Sequence, residues 1–350
     1  MPDTATLCRC GPRVDRPVTE ELEGVRRRAY RYEPRDVGRS RARAAAPVDR
    51  VETGLGDPSL VACSVHPHPL DPHPAVRLVR VSSRVTVAYG PVSGERWEAN
   101  ATIVVGERST AVIDAMMTPE QTVPIRAEAE RLAGGRPVRL LVLTHADPDH
   151  VLGHATFDGA VVVGSARSAN VLHDPAVRET YAGIVARAGH PDGFSLPEVD
   201  VAFDSRATVD LGGVTLEGSS IGPGHSASDT LWWCPEERIA WSGDLVFNGA
   251  FPLVRTNLEN WFAGLDRMAG WAARVVIPGH GPVGGPEVLS DQRRLLETLA
   301  TEVGEQVSAG ATIDDAVARV RLEAYRHLPL AGERVALAVR GVATALGARL

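Results

Sequence analysis

The sequence predicts an α/β fold in which two β-sheets are sandwiched between helices. Short apolar runs typical of buried strands occur at residues 138–143, 238–241 and 274–277. Each run is followed within a few residues by histidine or aspartate, and segments with helical signals lie between the runs. Strands that deliver polar side chains to one edge, with helices interspersed, fit this fold class.

The other predicted elements complete the pattern. Further strands are predicted at residues 78–89, 102–105, 111–114, 160–163, 199–203, 214–216 and 230–233. Thr118 followed by Pro119 is typical of a helix N-terminus and predicts a helix that ends near Ala133. Two more helices are predicted at residues 175–188 and 258–271. We predict that residues 76–286, which contain all these elements, form one domain.

The two ends of the chain differ from this central part. Residues 1–75 are rich in Arg and Pro and show no sustained periodicity, so we predict a disordered or loosely docked extension. Residues 287–350 are predicted to form C-terminal helices. Thr312 begins a capping-box pattern that predicts a helix at residues 316–325, and another helix is predicted at 334–346. These helices either cover the mouth of a site or form a homodimer contact.

Composition limits the classes of function. The net charge of −7 argues against a nucleic-acid-binding surface. No apolar run approaches the roughly 20 residues that a membrane-spanning helix needs, and the N-terminus lacks the apolar core of a secretory signal. The 4 cysteines are spaced too unevenly to indicate a disulfide framework. We therefore expect a cytoplasmic protein that acts on a small molecule and contacts neither nucleic acid nor membrane.

Four metal-capable side chains follow the strand at residues 138–143: His145, Asp147, Asp149 and His150. Residues two apart in an extended chain point to the same side, so the first three can converge. Pro148 predicts a loop rather than a helix here, and a turn allows His150 to contribute from another angle. Imidazole together with carboxylate suits zinc, iron or manganese. Taken alone, the cluster is also compatible with a solvated acidic loop.

The stretch T-H-A-D-P-D-H that ends at His150 resembles the T-H-x-H-x-D-H motif of the metallo-β-lactamase superfamily. Three later motifs of that family follow in the same order: G-P-G-H-S-A-S-D with His225, W-S-G-D-L with Asp244, and I-P-G-H-G-P with His280. Each short motif alone is weak, but four in the correct order are specific. The resemblance covers about residues 76–286 and implies a four-layer αββα sandwich. Asp244 resembles the bridging residue of the glyoxalase II-like branch.

The resemblance also implies a site and a chemistry. A first metal site would use His145, Asp147 and His225, a second would use Asp149, His150 and His280, and Asp244 would bridge them. Two divalent ions, expected to be zinc, would lower the pKa of a shared water and give a metal-bound hydroxide. Asp149 would orient that hydroxide, as the catalytic residue. The implied function is hydrolysis of an ester, thioester, lactone or amide.

Asp147 departs from the family, which usually has histidine at this position. Three carboxylates, one hydroxide and two divalent ions would give a neutral centre, so we expect a higher pKa for the bound water than is usual. Because aspartate is shorter than histidine, the other expectation is a first site that binds its ion weakly or through water. Two imidazoles and one carboxylate per metal also suit iron. An iron-dependent redox enzyme, similar to flavodiiron proteins or persulfide dioxygenases, is therefore the alternative function. A metal-binding protein without catalysis is a third.

Several aromatic and polar residues follow the Asp244 motif. Phe247, Asn248, Phe251 and Trp261 either line a pocket or belong to the ordinary core. His154 lies four residues after His150 and either approaches the site or lies at the surface.

Overall fold

The structure is a computed structural model that describes residues 76–349 apart from 91, 94–95, 188–194 and 256–257, together with four strand segments nearer the N-terminus. The strands are β1 Val18–Leu22, β2 Val25–Ala29, β3 Asp49–Glu52, β4 Val61–Ser64, β5 Arg77–Arg80, β6 Val85–Tyr89, β7 Val92–Ser93, β8 Arg96–Trp97, β9 Ala101–Val105, β10 Thr110–Ile113, β11 Leu140–Val142, β12 Val161–Ser165, β13 Val201–Phe203, β14 Arg206–Asp210, β15 Thr215–Gly222, β16 Asp229–Cys234, β17 Ile239–Phe247 and β18 Val275–His280. The helices are α1 Pro119–Leu132, α2 Pro148–Val151, α3 Ala166–His173, α4 Pro175–Arg187, α5 Leu258–Ala269, α6 Glu287–Ser308, α7 Ile313–Arg319 and α8 Ala331–Ala345.

Two large sheets organise the described part of the chain. The first has nine strands in the order β13-β12-β11-β10-β9-β6-β5-β4-β3, and its strands β10 to β13 run parallel. The second has five strands in the order β14-β15-β16-β17-β18, and only its last pair is parallel. The carboxyl ends of parallel neighbours meet at one edge, so β10 and β11 open toward the same region, and so do β17 and β18.

Three apolar layers separate four layers of secondary structure. The middle layer lies between the two sheets and includes Val142 of the first sheet and Trp241 of the second. One outer layer packs α1, α3 and α4 on the first sheet, and the other packs α5 to α8 on the second. Two sheets sandwiched between helices confirm the predicted fold class.

The strand β11 shows why a continuous apolar run was needed. Leu140 and Val142 point into the layer between the sheets, whereas Leu141 and Leu143 point into the helix layer. Successive side chains of a strand face opposite sides, so a strand covered on both faces requires apolar residues at every position. The run ends where the chain leaves both layers, and the polar residues from Thr144 onward begin there.

The C-terminal helices share the core of the second sheet. Leu296 and Leu299 of α6 and Val339 of α8 belong to the same buried cluster as Leu245 of β17. The Thr312 capping box is present, with its hydroxyl accepting from the Asp315 amide, but α7 ends at Arg319 and not at the predicted residue 325. Leu322 has φ 47°, a left-handed conformation that a helix cannot continue through.

One sequence prediction differs from the structure. Pro148 was expected to exclude a helix, but it begins α2, because proline has no amide hydrogen to lose at the first helical position. Within residues 1–75, β3 and β4 extend the first sheet and β1 pairs with β2, while the disordered or loosely docked extension stays a prediction. The open edge of β5 offers backbone partners that a search for periodicity does not detect. The remainder of the extension lies outside the described residues, and the domain boundaries stay a prediction.

Candidate metal centre

The seven predicted ligands meet at the edge where the two sheets open. His145, Asp147, Asp149 and His150 lie on the segment after β11 and on α2, in the first sheet's half of the fold. The other three lie on the second sheet's side: His225 between β15 and β16, Asp244 on β17 and His280 at the end of β18. The structure therefore brings every predicted site residue together, although their role as metal ligands stays a prediction.

The first group consists of His145, Asp147 and His225. Asp147 Oδ2 lies 3.9 Å from His145 Nε2 and 3.3 Å from His225 Nε2. Donor atoms bound to one ion at about 2.0–2.2 Å lie roughly 3–4 Å apart, so these separations suit a common ion. We refer to this group as the first site.

The second group consists of Asp149, His150 and His280. His280 Nε2 lies 3.3 Å from Asp149 Oδ2, and His150 Nε2 lies 4.0 Å from Asp149 Oδ1. Asp244 lies between the groups, with its carboxylate 3.0 Å from His150, 3.2 Å from His280 and 3.3 Å from His225. This second site and the first thus share a central carboxylate, as the resemblance implies.

Asp114, at the end of β10, orients two of the histidines. Its Oδ2 accepts hydrogen bonds from the Nδ1–H of His150 at 2.8 Å and from the Thr144 hydroxyl at 2.7 Å, and its Oδ1 accepts from the Thr144 amide at 2.8 Å. The Thr144 hydroxyl in turn accepts from His145 Nδ1 at 2.9 Å. Both imidazoles therefore carry their proton on Nδ1, and each directs the Nε2 lone pair at the centre.

Sequence analysis did not identify Asp114 as a site residue. It has φ 60°, and Met116 has φ 52°, so the chain turns sharply where β10 ends. Non-glycine residues in this region are uncommon and cluster at functional sites. The sequence could have predicted this residue, because Asp114 is acidic and follows the carboxyl end of β10, a strand that runs parallel to β11.

The loop that carries His225 is held by Asp229. This buried carboxylate accepts from the Gly224 amide at 2.9 Å, from the Ser226 amide at 3.0 Å and from the Ser226 hydroxyl at 2.6 Å. His225 Nδ1 donates to the Leu253 carbonyl at 3.0 Å, which leaves its Nε2 lone pair facing the first site. The G-H-S-A-S-D motif thus encodes both the histidine and its support.

Aromatic rings pack behind the histidines rather than lining an open pocket. Phe247 stacks on His280 with centroids 4.8 Å apart and planes 5° apart, and Trp261 meets His225 edge-on at 5.7 Å. Within the described residues, His280 Nδ1 is buried without a hydrogen-bond partner, so stacking takes over the orienting role. Phe251 is buried, and Asn248 donates to the Pro282 carbonyl. The core interpretation is therefore the better one for these residues.

His154 lies away from the centre. Its Nδ1 is 3.1 Å from the Val151 carbonyl and its Nε2 is 3.3 Å from the Ser195 hydroxyl. Of the two interpretations offered for this residue, the one without a site role fits these contacts.

The charges of the centre hold two of its carboxylates, Asp244 and Asp147, ionised. Burial alone would raise the pKa of Asp244, but the neighbouring charges of His280, His150 and His225 outweigh it and hold that pKa well below its usual range. Burial is likewise outweighed at Asp147, whose pKa is lowered by the His225 imidazole 3.3 Å away and by the charges around it, including Arg255. Burial lowers the pKa of His145, and this keeps the imidazole neutral and able to bind a cation.

Three atoms at the centre lack a hydrogen-bond partner within the described part of the chain: His145 Nε2, His150 Nε2 and Asp244 Oδ1. All three are buried, and each buried atom without a partner costs about 1–3 kcal/mol. A cation would accept these lone pairs, and the nearby carboxylates would balance its positive charge. The donor set therefore fits a divalent metal ion.

Arg255 also lies at the centre, and sequence analysis did not identify it. Its Nη2 donates to Asp147 Oδ2 in a short contact and lies 3.1 Å from His225 Nε2. A second arginine, Arg334 of α8, donates to the Phe251 carbonyl at 2.8 Å and lies over the Phe247 ring at 5.2 Å. Nothing in the local sequence marks either arginine, since both reach the centre from segments far along the chain.

Solvent reaches the centre from one side. The side chains of Asp147, Asp149 and Arg255 are 19%, 24% and 42% exposed. The four histidines and Asp244 are at most 4% exposed. A substrate would therefore approach over Asp147 and Asp149, beside Arg255.

This fold and centre define a family. The sequence pattern of the metallo-beta-lactamase superfamily matches residues 94–280, more than half of the chain, and the chain belongs to that superfamily. The recognition made from the sequence is confirmed at this level, while the glyoxalase II-like branch stays a prediction.

Individual relatives are more distant. The linear primary-alkylsulfatase of a Pseudomonas species is 22% identical over 252 residues, which cover 60% of this chain and 48% of that protein. The chain spans about half the length of the curated relatives it matches. These proteins indicate what chemistry occurs among relatives.

Solved structures agree on the fold. The stereoselective inverting sec-alkylsulfatase Pisa1 from Pseudomonas sp. aligns with TM-score 0.58 and 18% identity, over 77% of this chain and 50% of that one. A metallo-beta-lactamase family protein from Thermus thermophilus aligns with TM-score 0.53 and 19% identity, over 82% of this chain and 92% of that one. Among the described helices, none is long and apolar enough to cross a membrane.

Proposed function

We propose that this chain is a metal-dependent hydrolase of small molecules. The observation that carries the proposal is the convergence of four histidines and three aspartates on one partly open centre, with buried lone pairs that lack a hydrogen-bond partner in the described part of the chain. Membership of the superfamily supports it, since the similar proteins named above include an alkylsulfatase. Zinc is the proposed ion, with iron or manganese as alternatives, because imidazole and carboxylate ligands suit all three.

The donors offer room for two ions, and the proposed chemistry requires at least one, at the second site. A divalent ion bound there would lower the pKa of water and polarise the bond to be cleaved. His150 is fixed by Asp114 and His280 by Phe247, so the second-site imidazoles need little rearrangement. Preorganised ligands of this kind lower the cost of reaching the reactive geometry.

Asp149 is the residue proposed to act on the water. It is one of the two exposed carboxylates, and its Oδ2 lies 3.3 Å from His280 Nε2. A carboxylate at the solvent-facing rim can accept a proton from the attacking water and orient it, whereas the buried carboxylate of Asp244 has no such access.

The proposed substrate is an ester, thioester, lactone or amide. A sulfate ester is a second candidate, which two observations favour. Two of the proteins similar to this chain are alkylsulfatases by name. Arg334 also brings a guanidinium against Phe247, and guanidinium groups suit the oxygen geometry of sulfate.

The test uses the full chain loaded with zinc, and separately with iron, against one representative of each of these five bond types. We expect hydrolysis of at least one type, lost after chelation and in Asp149→Ala. Asp158→Asn, an exposed aspartate away from the centre, serves as the matched control and should keep full turnover. No turnover of any type by folded, metal-loaded protein would contradict the proposal. Tight iron binding with oxygen consumption would favour the redox alternative.

A further inference from the structure

We propose that the guanidinium of Arg255 takes the place of a metal ion at the first site, so that the chain binds a single divalent ion, at the second site. This inference rests on the proposed metal dependence. It concerns the place where this chain departs from its family, since Arg255 contacts Asp147, the residue found where histidine is usual.

The contacts of Arg255 coincide with those that an ion at the first site would make. Arg255 Nη2 donates to Asp147 Oδ2 and lies 3.1 Å from His225 Nε2. The Nδ1–H of His225 already donates to the Leu253 carbonyl, so its Nε2 offers a single lone pair. One lone pair serves either the guanidinium or an ion. The guanidinium thus occupies two of the three donors of the first site.

The position of Arg255 is fixed by the same segment that orients His225. The Leu253 carbonyl binds one nitrogen of the imidazole, and Arg255, two residues later, binds the other. Val254 between them is 1% exposed and packs in the core of the second sheet. The Phe251 amide, further back, donates to the Pro329 carbonyl at 2.9 Å. This segment therefore presents the arginine to the first site with little freedom.

The charge balance supports one ion rather than two. Asp147, Asp149 and Asp244 carry three negative charges, and Arg255 carries one positive charge. With water as the remaining ligand, one divalent ion then neutralises the group, whereas two ions would leave two uncompensated positive charges in a site whose histidines are buried. Conversion of that water to hydroxide would lower each total by one. Histidine at position 147 could not hold the guanidinium by charge. Aspartate at that position and arginine at 255 are therefore explained together.

The test counts bound ions without relying on turnover. Chelator-stripped protein is titrated with cobalt, and the visible absorbance of the bound ion is followed to its breakpoint, with zinc content measured by mass spectrometry after dialysis against buffered free zinc. We expect one equivalent for the wild type and two for Arg255→Gln, with the second ion bound at least about tenfold tighter than any second ion in the wild type. Arg334→Gln, which removes a nearby charge that contacts neither Asp147 nor His225, is the matched control and should bind one equivalent.

Each possible ion count either supports the role proposed for Arg255 or overturns it. Two equivalents in the wild type would overturn the inference and leave the proposed hydrolase intact. One equivalent in both the wild type and folded Arg255→Gln would also overturn it, since the short side chain of Asp147 would then be what limits binding. Two equivalents bound by Arg334→Gln would also overturn it, because loss of any nearby positive charge would then be enough to admit a second ion. No ion bound by any of the proteins would remove the proposed function as well. If Arg255→Gln fails to fold by circular dichroism, Arg255→Met replaces it, and the wild-type count still stands as a test.

Discussion

Replacing Asp114 with Asn tests whether the centre depends on a residue that would touch no metal. Three donors point at this buried carboxylate: the His150 ring nitrogen, the Thr144 hydroxyl and the Thr144 amide. An amide of the same shape has one acceptor oxygen, so either orientation leaves at least one donor facing another donor. Hydrogen bonds to a charged partner contribute about 1.5–3 kcal/mol each, so losing one outright should destabilise the metal-free fold by about 1.5–3 kcal/mol, and the loss of charge at the remaining contacts adds to this.

The effect of Asp114→Asn on zinc affinity should be smaller than its effect on stability, but it is easier to measure. Residues that orient a metal-binding histidine typically change affinity about 10–100-fold, which corresponds to roughly 1.4–2.8 kcal/mol. The Kd for zinc is measured by competition with a coloured chelator, and Tm is measured for the metal-free protein. Asp200→Asn is the control, because its carboxylate accepts from the Val162 amide at 2.8 Å, away from the centre. A change below threefold in folded Asp114→Asn would refute the reasoning.

Three further predictions concern the backbone, the protons and the ion. A methyl group added at Gly279 would lie 2.0 Å from Asp244 Oδ1, so Gly279→Ala should weaken zinc binding at least about tenfold. The control is Gly304→Ala, whose added methyl group meets nothing within 4 Å and should stabilise its helix by up to about 1 kcal/mol. Equal Kd values for zinc in the two variants would contradict this prediction. Burial lowers the pKa values of His150 and His280, but Asp244 outweighs it and raises both above the ordinary 6.5 in the metal-free chain. Protons therefore still compete with zinc for these imidazoles above pH 6.5, and the zinc affinity should keep increasing as the pH rises past 6.5. Zinc affinity is measured by calorimetric titration at a series of pH values. An affinity that stops increasing below pH 6.5 would contradict this prediction. Saturation with zinc at about 100 times Kd should raise the free energy of unfolding by about 2.7 kcal/mol, and an unchanged denaturant midpoint would show that the ion does not bind the folded chain preferentially.

The ligand positions could be predicted because their signals are local. His145, Asp244 and His280 each follow an apolar run within a few residues, and a buried strand must end where its polar residues begin. Parallel neighbours then bring such ends to one edge without any further information. The same reasoning applied to β10 would have included Asp114.

The remaining features depend on contacts between distant segments. Arg255 reaches the first site because Val254 is packed in the core, and Arg334 reaches the Phe247 ring because α8 folds back over β17. Neither residue has a motif around it. The end of α7 was also missed, since Val320 turns extended and Leu322 left-handed in a tertiary setting that helix propensity does not describe.

The centre draws its donors from both sheets, and this has a consequence for how the protein is assembled. A chain that ends before β16 would carry the first five donors but neither Asp244 of β17 nor His280 of β18. The complete donor set exists only after the sheets have docked, through contacts of large sequence separation that form slowly. Ion capture should therefore be a late event in folding. A bound ion would then cross-link the two halves of the fold.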